Sequence, residues 1–190
     1  MITPALVLDV FGFTPASEAE LPSAAHRFAR HGDLIDLDAV ATGSGAFVIR
    51  QPQRVTVLTD LAGVWPLYFT TVADSLIYSS SAAAIAADAG GQVDEQWLAS
   101  WLLVSAVPET WSQASPYRQL RAVPAGGVLL AGPGLPAVIV RRERALASAG
   151  FRTGTQRLAS ALSTAVRGRA QRHQEISTDL SGGLDSSAVA

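Results

Sequence analysis

A mixed α+β fold, in which a β-rich domain leads into the opening of an α/β domain, is what this 190-residue sequence predicts. Three observations point to it. Short β-branched and aromatic runs separated by turn residues fill the first half. Composition shifts to Arg, Ala, Ser and Leu around residues 141–152. A helical pattern, a short apolar run, a double-glycine loop and a second helical pattern then close the chain.

The predicted strands cover residues 5–10, 45–50, 54–59, 66–71 and 75–79, with Gln51-Pro52-Gln53 and Ala73-Asp74 as hairpin connections that make neighbouring strands antiparallel. Two helices interrupt them. Residues 81–89 end at Gly90-Gly91, and residues 94–104 start at Asp94, which can cap free amides. In the second helix Trp97, Leu98, Trp101 and Leu102 form one apolar face, read as core packed on the sheet. Residues 116–123 and 128–131 read as strands around the Pro124-Ala125-Gly126-Gly127 turn, and residues 136–144 as a last strand. Beyond the boundary, Leu158, Leu162, Ala165, Val166 and Ala170 recur at helical spacing across residues 153–172. A short strand at 175–180 and a helix from Ser186 follow. The predicted domains are residues 1–145 and 151–190.

Composition excludes several classes. The 48% hydrophobic and 16% charged content is that of a folded globular chain. A net charge of −2, with the basic residues concentrated between Arg141 and Arg172, gives no broad cationic surface, so nucleic acid is not an expected partner. The absence of cysteine removes disulfides, thiolate metal sites and cysteine nucleophiles. The most apolar run, residues 97–107, falls short of the ~20 residues that span a bilayer, so the expectation is a cytoplasmic protein with no membrane partner. His26, His31 and His173 lack metal-ligand spacing.

The chemistry-bearing segment is Leu180-Ser181-Gly182-Gly183-Leu184-Asp185-Ser186-Ser187. Two glycines at a strand end let backbone amides point inward without Cβ obstruction, and a following helix adds its positive end. Ser181, Ser186 and Ser187 supply hydroxyls. Asp185 is an acceptor that can hold Mg²⁺ together with phosphates. The plainer reading is an ordinary glycine turn whose serines cap the helix. A Walker A loop is excluded because no Gly-Lys-Ser/Thr follows a four-residue spacer.

The string Ser181 to Ser187 resembles the pyrophosphate loop (PP-loop) Ser-Gly-Gly-x-Asp-Ser-Ser of the ATP pyrophosphatase group. Upstream, the segment from Thr59-Asp60-Leu61-Ala62-Gly63 through Pro66-Leu67-Tyr68-Phe69 is similar to a segment of the class II glutamine amidotransferase domain of asparagine synthetases. Ile77-Tyr78-Ser79-Ser80-Ser81 and the Pro124-Ala125-Gly126-Gly127 hairpin are similar to two further segments in the same order. The resemblance implies an Ntn-hydrolase-like, glutaminase-like β-rich sandwich, then the start of an adenine nucleotide alpha hydrolase-like domain. It also implies ATP and Mg²⁺ as cofactors, with residues Leu180 to Ser187 holding the nucleotide and Asp185 the metal.

The departures matter as much. A working glutaminase of this family carries a cysteine directly after the initiator Met, whereas this chain has Ile2. The glutamine-anchoring Asn-Gly-Glu segment has no counterpart, and Ser44-Gly45-Ala46-Phe47 stands where the family has Asp-Gly-x-Phe. Asp60 and Tyr68 then read as fold determinants, and the first domain as degenerate and without glutaminase activity.

Among relatives lacking that activity, the chain is most similar to the lasso-peptide cyclases (macrolactam synthetases), with the β-lactam synthetases, asparagine synthetases or a non-catalytic peptide-binding scaffold as alternatives. The lasso resemblance implies an AMP-forming carbon–nitrogen ligase of RiPP and antibiotic biosynthesis. Such an enzyme adenylates an Asp or Glu side chain of a core peptide for attack by that peptide's own N-terminal amine. It implies a precursor peptide as substrate, and a leader peptidase and leader-recognition protein as partners. The sequence ends three residues after Ser187, so the expectation is that a C-terminal catalytic domain is a missing partner and that no catalytic residue lies within residues 1–190.

Overall fold

The computed structural model describes residues 6–14, 19–32, 43–73, 75–104, 114–141, 148–171, 175–179 and 181–189. The chain divides into two compact units, residues 1–143 and 144–190.

The first unit is built on two antiparallel sheets. β1 (Val7–Phe13), β2 (Ser44–Gln51), β3 (Arg54–Leu58), β7 (Gly127–Gly132) and β8 (Leu135–Arg141) form one, in the order β1-β2-β3-β7-β8. β4 (Leu67–Val72), β5 (Ser75–Ser79) and β6 (Arg121–Val123) form the other, in the order β5-β4-β6. Helix α1 (Glu20–His31) and helix α2 (Ala82–Ala89) lie on the two outer faces.

Burial follows from the alternation of side chains along each strand. On β2, Ala46 and Val48 point between the sheets and meet Leu67, Phe69 and Val123, while Phe47 and Ile49 point the other way onto Ala24, Ala25 and Phe28 of α1. Both faces of β2 are thereby covered, which is why its sequence is a near-continuous apolar run. On the outer face of the smaller sheet, Ala82 and Ile85 of α2 pack with Leu120, Tyr68, Ile77 and Tyr117. The result is the expected α+β sandwich: two antiparallel sheets face to face with a helix on each outside.

Local chemistry sets the helix limits. Ser81 caps α2 by accepting from the Ala84 amide at 3.2 Å, and Gly90 ends it in the left-handed region at φ 73°. Asp94 accepts from the Gln96 and Trp97 amides, both at 3.0 Å, and opens helix α3 (Glu95–Val104).

Four expectations need correction. Helix α1 was not foreseen, although Leu21, Ala24, Ala25 and Phe28 have helical i, i+3, i+4, i+7 spacing and Gly32, at φ 72°, stops the helix. The predicted strand at 116–123 shrinks to Arg121–Val123, because residues 118 and 119 turn the chain and Tyr117 makes only an isolated bridge to Val93. The apolar stripe of α3 is not core: it has no buried residue, and Leu102 is 66% exposed. Trp97 and Trp101 stack on each other, their ring centres 6.2 Å apart. Residues 175–179 are not a strand, because among the described residues nothing in their unit offers a ladder partner. The last residues of the predicted strand at 136–144 lie outside the described residues.

The second unit contains helix α4 (Phe151–Ala170), the segment 175–179, a glycine loop and helix α5 (Leu184–Val189). Among the described residues, no helix of the protein is long and apolar enough to cross a membrane.

Candidate functional site: the 181–187 loop

Gly182 sets the shape of the loop. Its φ of 79° lies in the region that L side chains rarely adopt, and no atom lies within 4 Å of where a Cβ would stand. The space beside Gly182 is therefore open. Gly183 follows, its carbonyl accepting the Ser187 amide at 3.2 Å and so starting α5.

The three serines converge on this turn. The Ser181 and Ser186 hydroxyls are 3.1 Å apart, Ser186 donates to the Gly183 carbonyl at 3.2 Å, and Ser187 donates to the same carbonyl at 2.9 Å. None of them caps the helix in the N-cap sense. Ser186 and Ser187 bond backward within the first turn, and Ser181 reaches across the loop, so the hydroxyls are gathered at one spot. Asp185 sits in the first turn of α5, exposed to solvent. The structure thus brings Ser181, Gly182, Gly183, Ser186 and Ser187 together. Leu184 is 91% exposed and contributes no packing, and Leu180 lies outside the described residues.

An open glycine, convergent hydroxyls and one exposed carboxylate fit a polyphosphate whose Mg²⁺ is shared with the phosphates. They do not make a self-sufficient metal cage. Among the described residues no group of three or more His, Cys, Asp or Glu side chains is placed to hold an ion.

Residues 157–190 match the family model for asparagine synthase. That stretch contains the loop and most of α4, and in sequence it is asparagine-synthase-like. No curated protein matches the chain. Among solved structures, glutamine phosphoribosylpyrophosphate amidotransferase from B. subtilis, complexed with ADP and GMP, superposes with a TM-score of 0.47 at 15% identity. The match covers 77% of this chain and 31% of that one, so the chain spans under a third of that protein's length.

Asp60 has a structural task in the first unit. It is 3% exposed, and its carboxylate accepts from the amides of Ala62, Val64 and Trp65 at 3.0, 3.1 and 3.2 Å. Its carbonyl accepts the Gly126 amide at 2.8 Å, which ties residues 60–65 to the turn before β7. Thr59 reinforces the junction by donating to the Pro124 carbonyl at 2.6 Å. Tyr68 is half-buried against α2, and that burial raises its hydroxyl pKa. Sequence reasoning did not foresee the cleft where the β2–β3 and β7–β8 turns meet, because its lining comes from two hairpins distant in sequence.

Proposed function

We propose that this chain is part of an ATP-dependent carbon–nitrogen ligase of the asparagine-synthase type, AMP-forming, and specifically a lasso-peptide macrolactam synthetase. One observation carries the ligase reading: the Ser-Gly-Gly-Leu-Asp-Ser-Ser loop, with its hydroxyls gathered beside an open glycine, lies inside the segment that matches asparagine synthase. In this reading the amides of Gly182 and Gly183 and the hydroxyls of Ser181, Ser186 and Ser187 hold phosphate oxygens, and Asp185 holds Mg²⁺ with them. Bound ATP supplies the adenylyl group that activates a carboxylate, with pyrophosphate as leaving group. The loop's part is to position the phosphates and to stabilise the negative charge that builds on the leaving group.

The lasso assignment rests on what the first unit lacks. These 190 residues contain no cysteine to serve as a glutaminase thiol, and a peptide's own N-terminus is an amine that needs no free ammonia. The first unit is then a degenerate glutaminase-like scaffold, and Asp60 holds its turns rather than a ligand. A core peptide carrying Asp or Glu is the proposed substrate, with a leader peptidase and leader-recognition protein as partners in the cytoplasm.

The test is pyrophosphate release by the natural full-length polypeptide with ATP, Mg²⁺ and a candidate precursor peptide. Peptide-dependent release that Asp185→Ala abolishes supports the reading. ATP-dependent release that responds to free aspartate and ammonia, and not to any peptide, would remove the lasso assignment while leaving the ligase.

A further inference from the structure

At one end of the larger sheet, the start of β3, the end of β7 and the start of β8 border a solvent-open cleft of about 530 Å³. Leu130, Ala131, Leu135, Pro136 and Val138 give it an apolar lining, and Gln53 and Arg54 stand beside them. The volume lies within the few hundred to ~1,000 Å³ typical of small-ligand sites. Apolar side chains here remain open to solvent, with Leu135 at 69% and Val138 at 49% exposure. Leu130, which packs against the α1 cluster, and its register partner Val138 lie on the sheet face that α1 covers farther along, over Ile49 and Leu58.

Arg54 is the informative residue. Its guanidinium carbon lies 5.8 Å from the centre of the Phe28 ring, and Phe28, 2% exposed, is fixed in the core. A cation on an aromatic face is held in place without neutralisation, since the ring offers a quadrupole and not a counter-charge. Among the described residues Arg54 has no acidic partner, whereas Arg50, one hairpin away, is paired with Asp9 at 2.9 Å. Gly132 lets β7 approach β3 closely at this corner: a Cβ there would come within 2.8 Å of the Gln53 carbonyl, so a larger residue would push the strands apart.

We infer that this cleft binds an aliphatic carboxylate, with the chain of the ligand on Leu130, Leu135 and Val138 and its carboxylate on the Arg54 guanidinium. The planar fork of arginine takes a carboxylate in a two-point contact, and an apolar floor next to it selects against small inorganic anions. The same chemistry has two sources, a free aliphatic acid or the C-terminal carboxylate of a peptide ending in Val or Leu. The residues of this cleft all belong to the first unit.

The test is titration of the 190-residue protein with decanoate and, separately, with acetyl-Ala-Val-Leu, followed by NMR of the arginine Nε–H signals and by calorimetry. The site predicts saturable shifts of the Arg54 signal and binding that Arg54→Met weakens by about ten-fold or more. Val138→Asp, which places a like charge in the cleft, weakens it comparably while circular dichroism stays unchanged. Tighter binding of the peptide acid than of decanoate assigns the cleft to a chain end, and the reverse order to a free aliphatic acid. Absence of saturation with both probes, or equal binding of the tighter-binding acid and its own amide, overturns the inference.

Discussion

Asp60 shows what a single residue does in this fold. A buried carboxylate that accepts three backbone amides stabilises a turn no apolar side chain could hold, because those amides would lose their partners on replacement. Asp60→Ala is expected to destabilise the first unit by roughly 2–4 kcal/mol, read as a lower denaturation midpoint in urea. Tyr68 gives a pH signature. Burial raises its pKa in the native state, so the unfolded chain ionises first as pH rises past the ordinary value near 10, and the native state then binds more protons. Stability is therefore undiminished below pH ~10 and falls above it, and Tyr68→Phe flattens that fall in thermal scans across pH. At this scale much was legible in the sequence. The Thr59-to-Phe69 segment marked Asp60 and Tyr68 as determinants of the fold, though not the three amides that Asp60 binds.

Among elements, the contrast between α1 and α3 is the most instructive. In α1 only four apolar positions carry the helical period in a polar sequence, a signal that reads as loop beside the strong strands around it, yet Ala24, Ala25 and Phe28 are buried. In α3 a rich apolar stripe advertised a core that the described structure does not build over it. Periodicity reports that a face exists and cannot report which element covers it. Phe28→Ala is expected to cost about 3–5 kcal/mol through the cavity left against Ile49 and Leu58. Leu102→Ser should stay within about 0.5 kcal/mol, and paired chemical denaturations compare the two directly. The strands were read with errors of only a few residues wherever both ends had turn chemistry. They failed at 116–123, where a turn sits inside the run, and at 175–179, where no neighbour among the described residues pairs with them.

Across the whole molecule, the cohesive elements are unevenly divided. Among the described residues, the first unit contains the three clusters of buried apolar side chains, while in the second no residue of α4 is buried and Leu158, Leu162 and Val166 are 62%, 44% and 38% exposed. Amide hydrogen exchange is accordingly expected to be slowest in β2, β3 and β7 and faster by orders of magnitude in α4, whose hydrogen bonds no core protects. The candidate site sits in that second unit, and its reading came almost entirely from the seven-residue string. The structure added the convergence of hydroxyls and the open face of Gly182, which spacing alone does not show. The central claim is that this loop takes the phosphates of ATP. It is tested most directly by titrating Mg²⁺ and ATP into the ¹⁵N-labelled protein while following the Gly182, Gly183 and Ser186 amides. Saturable shifts confined to these residues and their neighbours, lost in Asp185→Ala, are the predicted result. Amides that do not move under saturating nucleotide, or that move equally in Asp185→Ala, would contradict it.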